Sequence, residues 1–273
     1  MSTALPADGR LEPATPDRRE LKVVTVEERG PYPLLVLEDQ GGPTPSPGQF
    51  YMLSTAEEWG GGVDERPYLP RAISIMDRDG DRLEFLLDDV GPGTARLAAA
   101  TPGSSVLALG PLGRGFRPGG EGRPVICAGG IGVAPMVALA RALGSGAEVL
   151  LGFRDSRYAQ AAELFPGARV ATDDGSAGHA GTVIDLLEEA LDAGSETTVY
   201  ACGPPGMLEA VRAACARRQV PSQLALESGM ACGFGACYGC VVATADGGYR
   251  RVCVDGPVLE GSDLADGWQA AYG

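Results

Sequence analysis

Four cysteines cluster near the end of the chain: Cys232, Cys237, Cys240 and Cys253. Their spacing is C-x4-C-x2-C followed by a twelve-residue gap. That is the plant-type arrangement of four thiolates around a [2Fe–2S] centre. A loop that wraps two irons and their sulfides must curl tightly with its N–H groups turned inward. Gly233, Gly235 and Gly239 permit the dihedrals and the close approach this needs. Zinc also accepts four thiolates and is the competing reading. Its sites usually show two separated C-x2-C pairs, whereas this chain has one such pair and an x4 arm. The other cysteines, Cys127, Cys202 and Cys215, sit singly in apolar surroundings and read as small buried hydrophobes.

A second group of residues suits phosphate and ribose. Gly129-Gly130-Ile131-Gly132 ends an apolar run and opens a helical stretch. Glycines there let backbone N–H groups reach a pyrophosphate, aided by the positive end of the helix dipole. A plain strand-to-helix turn would also use glycine. Cys202-Gly203-Pro204 and Thr172-Asp173-Asp174 follow other predicted strands in the same way. Acidic residues at such a strand end favour a ribose hydroxyl over a 2′-phosphate, hence NAD over NADP; a solvated turn is the alternative. Earlier in the chain, Arg71-Ala72-Ile73-Ser74 reads as a strand in which Arg71 could meet a cofactor phosphate and Ser74 could hydrogen-bond the same group. Gly91-Pro92-Gly93-Thr94 opens a short helix and offers another pyrophosphate turn.

The elements that must carry these residues fall into three textures. Residues 1–20 are polar and proline-rich and predict a flexible tail. Over 21–119, six short apolar runs punctuated by Gly, Pro and Asp turns predict a small antiparallel β-barrel: 22–26, 34–37, 49–54, 71–76, 82–87 and 105–109. One helix, 94–100, interrupts it. Over 120–222 strands at 124–128, 148–153, 169–172 and 198–201 alternate with helices at 134–143, 158–164, 183–191 and 205–218, which predicts a doubly wound parallel sheet. From 223 to 273 short strands and glycine-rich loops surround the clustered cysteines. The fold class is therefore α+β and multidomain.

The chain has 273 residues, 41 of them glycine and 21 proline, a composition that excludes a helical bundle or coiled coil. With 22 Lys and Arg against 36 Asp and Glu its net charge is −14, a poor match to nucleic acid. No apolar run is long enough to span a bilayer, and the start lacks a signal-peptide pattern. These features predict a cytoplasmic protein with no membrane and no nucleic-acid partner, a setting in which clustered thiols hold metal rather than disulfides.

Together these residues resemble the iron–sulfur flavoprotein electron-transfer subunits of class 1B dihydroorotate dehydrogenase, within the ferredoxin reductase superfamily. The resemblance runs from about Leu21 to Leu259 and is most specific over Glu227–Val242 and Arg251–Pro257. It implies that the barrel binds FAD, the parallel domain NAD, and the C-terminal subdomain a [2Fe–2S] centre. By that resemblance Arg71, Ala72, Ile73, Ser74, Leu86, Gly93 and Thr94 touch FAD. NAD falls to Gly129, Gly130, Ile131, Gly132, Thr172, Asp173, Asp174, Cys202, Gly203 and Pro204. Cys232, Cys237, Cys240 and Cys253 are the metal ligands, and no side chain is a catalytic acid or base. Where the family carries Leu-Tyr-Arg before Gly-x-Gly-Thr, this chain reads Leu86-Leu87-Asp88, so a positive charge becomes negative. Ala72 stands where the family prefers proline.

The implied role is a relay in pyrimidine biosynthesis. An FMN-containing catalytic subunit, the partner in a heterotetramer, oxidises dihydroorotate. Electrons then pass through the [2Fe–2S] centre and FAD to NAD+. Two other roles compete: an NAD(P)H-dependent iron–sulfur flavoprotein serving a different redox partner, and a zinc-stapled binding module without activity.

Overall fold

The computed structural model describes residues 17–57, 59, 67–120, 122–194 and 196–268. Residues 1–16 of the expected tail lie outside that set. The first half is built from β1 (Asp17–Arg29), β2 (Tyr32–Glu38), β3 (Phe50–Thr55), β4 (Arg71–Ser74), β5 (Asp77–Asp79), β6 (Arg82–Leu86), helix α1 (Pro92–Ala98) and β7 (Ser105–Leu112). The strands pair antiparallel in the order β4-β3-β7-β1-β2-β6-β5. Alternation dictates what each strand buries: in β1 Leu21 and Val23 point inward while Lys22 is exposed. Strand β2 buries both faces, which explains its unbroken apolar run. Leu35 and Leu37 fill the barrel interior with Leu53, Leu83, Phe85 and Val106. Tyr32, Leu34 and Val36 pack outward against the second domain.

Strand β1 begins at Asp17, inside the stretch that sequence texture assigns to a tail. Two interactions recruit those residues. Asp17, Arg18 and Arg19 continue the ladder with β7, opposite Gly110, Leu109 and Ala108. Arg19 also donates from Nε and Nη2 to the two carboxylate oxygens of Asp39, at 2.8 and 3.0 Å. Asp39 is 1% exposed, so its charge depends on this fork and on nearby Arg78. Removing one partner of a buried pair leaves an uncompensated charge. Arg19→Ala is therefore expected to lower unfolding stability by about 3 kcal/mol, measured as a shift in the urea midpoint at unchanged slope.

The second half alternates strand and helix: β8 (Arg123–Gly129), α2 (Ala134–Leu143), β9 (Glu148–Phe153), α3 (Ser156–Ala159), β10 (Arg169–Thr172), β11 (His179–Ala180), α4 (Val183–Asp192), β12 (Thr197–Cys202), α5 (Pro205–Arg218) and β13 (Ser222–Ala225). A two-stranded ribbon of β14 (Val241–Ala243) and β15 (Tyr249–Arg251) follows, then β16 (Val258–Glu260). The large sheet runs β11-β10-β9-β8-β12-β13-β16, parallel except for β16 at its edge. Fully buried Val125, Cys127, Leu150, Val199 and Ala201 form its middle, as a sheet covered on both faces requires.

The C-terminal region is less separate than its composition suggests. Gln223–Ala225 complete the parallel sheet, and β16 returns to extend it. Cys240, Cys253 and Trp268 share one apolar core with Phe50, Met52 and Leu112 of the barrel. Helix α2 is tied to the barrel edge by an ion pair between Arg141 and Asp77 and by the Ala138 N–H donating to the Met76 carbonyl at 3.2 Å. The predicted strand 71–76 is shorter, ending at Ser74, because the chain turns there into β5. The predicted helix 158–164 is one α-helical turn, Ser156–Ala159, capped by Asp155, followed by a 3-10 segment, Gln160–Leu164.

Candidate functional site

A cleft lies at the carboxyl ends of β8, β9, β10 and β12, where the strand order reverses, the place a doubly wound sheet offers a ligand. It is an open cleft of about 890 Å³. Gly129, Gly130, Ile131 and Gly132 line it from β8, Asp173 from β10, and Gly203 and Pro204 from β12. The close fit of its floor explains the glycines. A β-carbon on Gly132 would fall 2.5 Å from the Cys202 carbonyl oxygen, and one on Gly129 would fall 2.5 Å from Met207 Sδ. Three residues assigned to this site do other work. Thr172 is fully buried, and its hydroxyl donates to the Ala177 carbonyl at 2.8 Å. Asp174 accepts from the Ser176 hydroxyl and N–H at 2.6 and 2.9 Å, bonds that hold its carboxyl below the usual range. The Cys202 thiol is buried, which pushes its pKa well upward and keeps it neutral. Thr172 and Asp174 shape the loop that presents Asp173, and Cys202 meets the cleft floor through its carbonyl.

Four groups that spacing does not reveal complete this cleft. Arg154 leaves β9 with its guanidinium carbon 3.7 Å from the centroid of the Tyr158 ring. Tyr158 in turn meets Tyr32 of the barrel edge-on at 5.7 Å. Tyr32 is 1% exposed, and burial followed by the Asp88 charge raises its phenol far above the ordinary value. Glu227 follows β13 on the way to the cysteines; desolvation first, and the Asp88 carboxylate second, raise its pKa. Tyr32, Tyr158 and Glu227 arrive from separate parts of the chain.

Asp88, Asp89, Asp173 and Glu227 make the cleft wall acidic, against Arg154. A dinucleotide brings two phosphate charges to this wall. Asp88→Asn is expected to tighten NADH binding about two- to five-fold at low ionic strength, the gain shrinking as salt screens it. Titrations at two salt concentrations read this directly.

The flavin-side residues gather on β4 and at the start of α1. Arg71 lies over Gly93, where a β-carbon would fall 2.4 Å from Arg71 Nε. Arg71 Nη1 donates to the Leu69 carbonyl at 2.6 Å, and its guanidinium carbon is 5.8 Å from the centroid of the Trp59 ring. A guanidinium held over a glycine turn is a phosphate cradle in its donor set. Thr94 shapes the turn: its Oγ1 accepts from the Val90 and Gly91 N–H groups at 3.1 and 3.2 Å. Ala72 is exposed, whereas Ile73 packs partly into the barrel core. Leu86 is 2% exposed among apolar side chains, so only its backbone is available to a cofactor.

Cys232, Cys237 and Cys240 lie on one loop, and Cys253 follows β15 to stand beside Cys240. Gly233 and Gly235 adopt φ of 78° and 84°, the left-handed region that glycine enters without strain. The thiols form two pairs. Cys240 and Cys253 have their sulfurs 3.2 Å apart, both buried. Cys232 accepts a hydrogen bond from Cys237. Among the described residues, no three His, Cys, Asp or Glu side chains converge on one point. Partial burial raises the Cys232 thiol, but the N–H groups of Cys237, Phe234 and Ala236 outweigh it and bring the pKa down to about 6. Such a nest stabilises a thiolate. Burial, then Cys240, push Cys253 up to about 12. Two buried thiols at that separation cannot both ionise unless a cation joins them. The donor set therefore fits an iron–sulfur centre. Arg251 buttresses the loop, lying 5.3 Å from the Tyr238 ring centroid and donating from its N–H to Asp255 at 2.9 Å.

Comparison with known proteins identifies the family. Residues 227–265 match the family described as the iron–sulfur cluster binding domain of dihydroorotate dehydrogenase B. The electron transfer subunit of dihydroorotate dehydrogenase B (NAD(+)) from Clostridium acetobutylicum is 40% identical over 223 residues, covering 80% of this chain and 85% of that protein. Its counterpart from Bacillus caldolyticus is 38% identical over 233 residues, covering 80% and 86%. Among solved structures, an NADH-dependent reduced ferredoxin–NADP oxidoreductase superposes with a TM-score of 0.79 at 22% identity, over 92% of this chain and 91% of that one. The flavohem-like FAD/NAD binding domain of nitric oxide dioxygenase from Vibrio cholerae gives 0.61 at 23%, over 74% and 94%. These two share the fold. With relatives of this identity and coverage, the chain belongs to the family of dihydroorotate dehydrogenase B electron transfer subunits.

Proposed function

We propose that this chain carries electrons from an FMN-containing dihydroorotate dehydrogenase catalytic subunit to NAD+, holding a [2Fe–2S] centre and FAD on the way. The single observation that carries the reading is the paired cysteine loop packed directly on the barrel, in a chain whose family relatives bear that name. The centre supplies single-electron transfer when bound, and the flavin converts single electrons into the paired electrons of a hydride.

The chain's own residues do the positioning. Cys232 and Cys237 hold one iron, Cys240 and Cys253 the other. Arg71 would balance a flavin phosphate at the Gly93 turn, and Ala72, Ile73, Ser74 and the backbone of Leu86 would help hold the cofactor. The N–H groups of Gly130–Gly132 receive the NAD pyrophosphate at the start of α2. Asp173 accepts from a ribose hydroxyl, while Tyr32 and Tyr158 wall off water from the domain junction. Barrel, parallel sheet and cysteine loop thus divide the work, the barrel starting by Asp17 and the parallel sheet keeping Ser222–Ala225. Cysteines that must stay reduced to load iron place the protein in the cytoplasm. Among the described residues, no helix is long and apolar enough to cross a membrane.

The test is co-purification with an FMN-containing dihydroorotate-oxidising subunit, followed by an assay of dihydroorotate-dependent NAD+ reduction. A heterotetramer that reduces NAD+ only when both subunits are present is expected. A catalytic subunit that reduces NAD+ equally well alone would overturn the proposal.

A further inference from the structure

One side chain bridges the flavin strand and the cysteine loop. In the β3–β4 ladder Met52 is the partner of Ala72, the second residue of the Arg-Ala-Ile-Ser strand. Paired residues of an antiparallel ladder project from the same face. On that face Met52 is pressed against Gly233, which directly follows the first clustered cysteine. A β-carbon on Gly233 would fall 2.5 Å from Met52 Cγ, 2.8 Å from its Sδ and 3.2 Å from Leu112 Cδ1. Met52 is 2% exposed and belongs to the apolar core that contains Cys240, Val252 and Cys253. The thioether therefore packs under the loop assigned to the metal, on the sheet face that the neighbouring strand assigned to the flavin shares.

We propose that Met52 is the positioning residue that fixes the separation of the cluster loop from the flavin strand and keeps water out of the gap; the inference rests on the function proposed above. With both groups bound, single electrons would pass between cluster and flavin, and the packing of Met52 would help set their rate. Methionine suits the place, because a flexible, polarisable chain can fill an irregular space against a glycine backbone. The apolar shell of a metal centre also governs solvent access and hence its potential. Leu112 is the second wall, so a truncated Met52 leaves a void rather than a collapsed contact.

The experiment uses the complete complex with its catalytic subunit, comparing wild type, Met52→Ala and Met52→Leu, each assayed for iron and flavin. Anaerobic mixing with NADH is followed by flavin absorbance and by rapid-freeze EPR of the reduced cluster. In Met52→Ala, flavin reduction by NADH is expected to keep its wild-type rate. Reduction of the cluster is expected to slow about ten-fold, with a changed EPR line shape and a shifted cluster potential. Met52→Leu, which nearly conserves volume, is expected to restore most of the rate. Fully loaded Met52→Ala with cluster reduction within two-fold of wild type and an unaltered EPR signal would overturn the proposal. Should Met52→Ala lose iron, Met52→Val carries the same comparison with a smaller void. A wild-type complex that itself lacks iron or flavin defeats the proposed function instead.

Discussion

Cys237→Ser is expected to strip the iron from this chain while leaving it folded and flavin-bound. Cys237 is exposed, and its sulfur accepts only a long contact from the Gly239 N–H at 3.4 Å, so the substitution opens no cavity. Serine is isosteric but presents a hard, protonated oxygen where iron–sulfur centres need a thiolate. Its partner Cys232 would then face one iron alone. Dihydroorotate-dependent NAD+ reduction falls to background, because electrons from the partner subunit have no other entry. NADH oxidation with an artificial two-electron acceptor persists, because that route needs only the flavin and the cleft. Cys127→Ala gives the opposite pattern: Cys127 is fully buried in the parallel sheet, so some stability is lost and the iron stays. Iron analysis of the two variants reads the difference. Full iron in Cys237→Ser would contradict the ligand assignment.

The second large effect is expected at Gly132. Its missing β-carbon would lie 2.5 and 2.6 Å from the Cys202 carbonyl oxygen and carbon and 2.7 Å from the Gly203 nitrogen. All three are backbone atoms, so no side chain can rotate away. Alanine must push the turn after β8 away from the turn after β12, and these two turns are the floor of the cleft. A displacement on the order of 1 Å is enough to weaken a positioned contact up to about a hundred-fold. Gly132→Ala is therefore expected to raise the NADH dissociation constant by about 10- to 100-fold, with flavin and iron contents unchanged and a stability loss of about 1–3 kcal/mol. Gly146→Ala is the control, since nothing lies within 4 Å of its added carbon. Unchanged NADH binding in Gly132→Ala would remove this turn from the site.

What could be read in advance was local. The cysteine spacing, the Gly129–Gly132 turn and the Arg71–Ser74 strand each carry their chemistry within a few consecutive residues. Alternation from strand-like to helical periodicity likewise marks the change from barrel to parallel sheet near residue 120. What escaped depends on distant pairing. Asp17–Arg19 look like tail until β7 and Asp39 are brought beside them. Ser222–Ala225 and Val258–Glu260 are short, and only their places beside β12 and β13 make them strands of the large sheet. Tyr32, Asp88 and Glu227 come from three regions and meet only at the cleft. Thr94, Thr172 and Asp174 show the reverse case. Their residue types suit a ligand, yet their polar atoms are engaged by their own turns. Hydroxyls and short carboxylates at turns compete for local backbone partners, and a motif cannot show which partner wins.

The central claim is that one chain carries both a two-iron centre and a flavin. Anaerobic purification of the unaltered protein, with iron, acid-labile sulfide and flavin measured on one sample alongside its EPR spectrum after reduction, tests it most directly. Two irons, two sulfides and one FAD per chain are expected, with the signal of a reduced [2Fe–2S] centre. A protein that holds zinc, or that stays colourless after reconstitution with iron, sulfide and FAD, would contradict it.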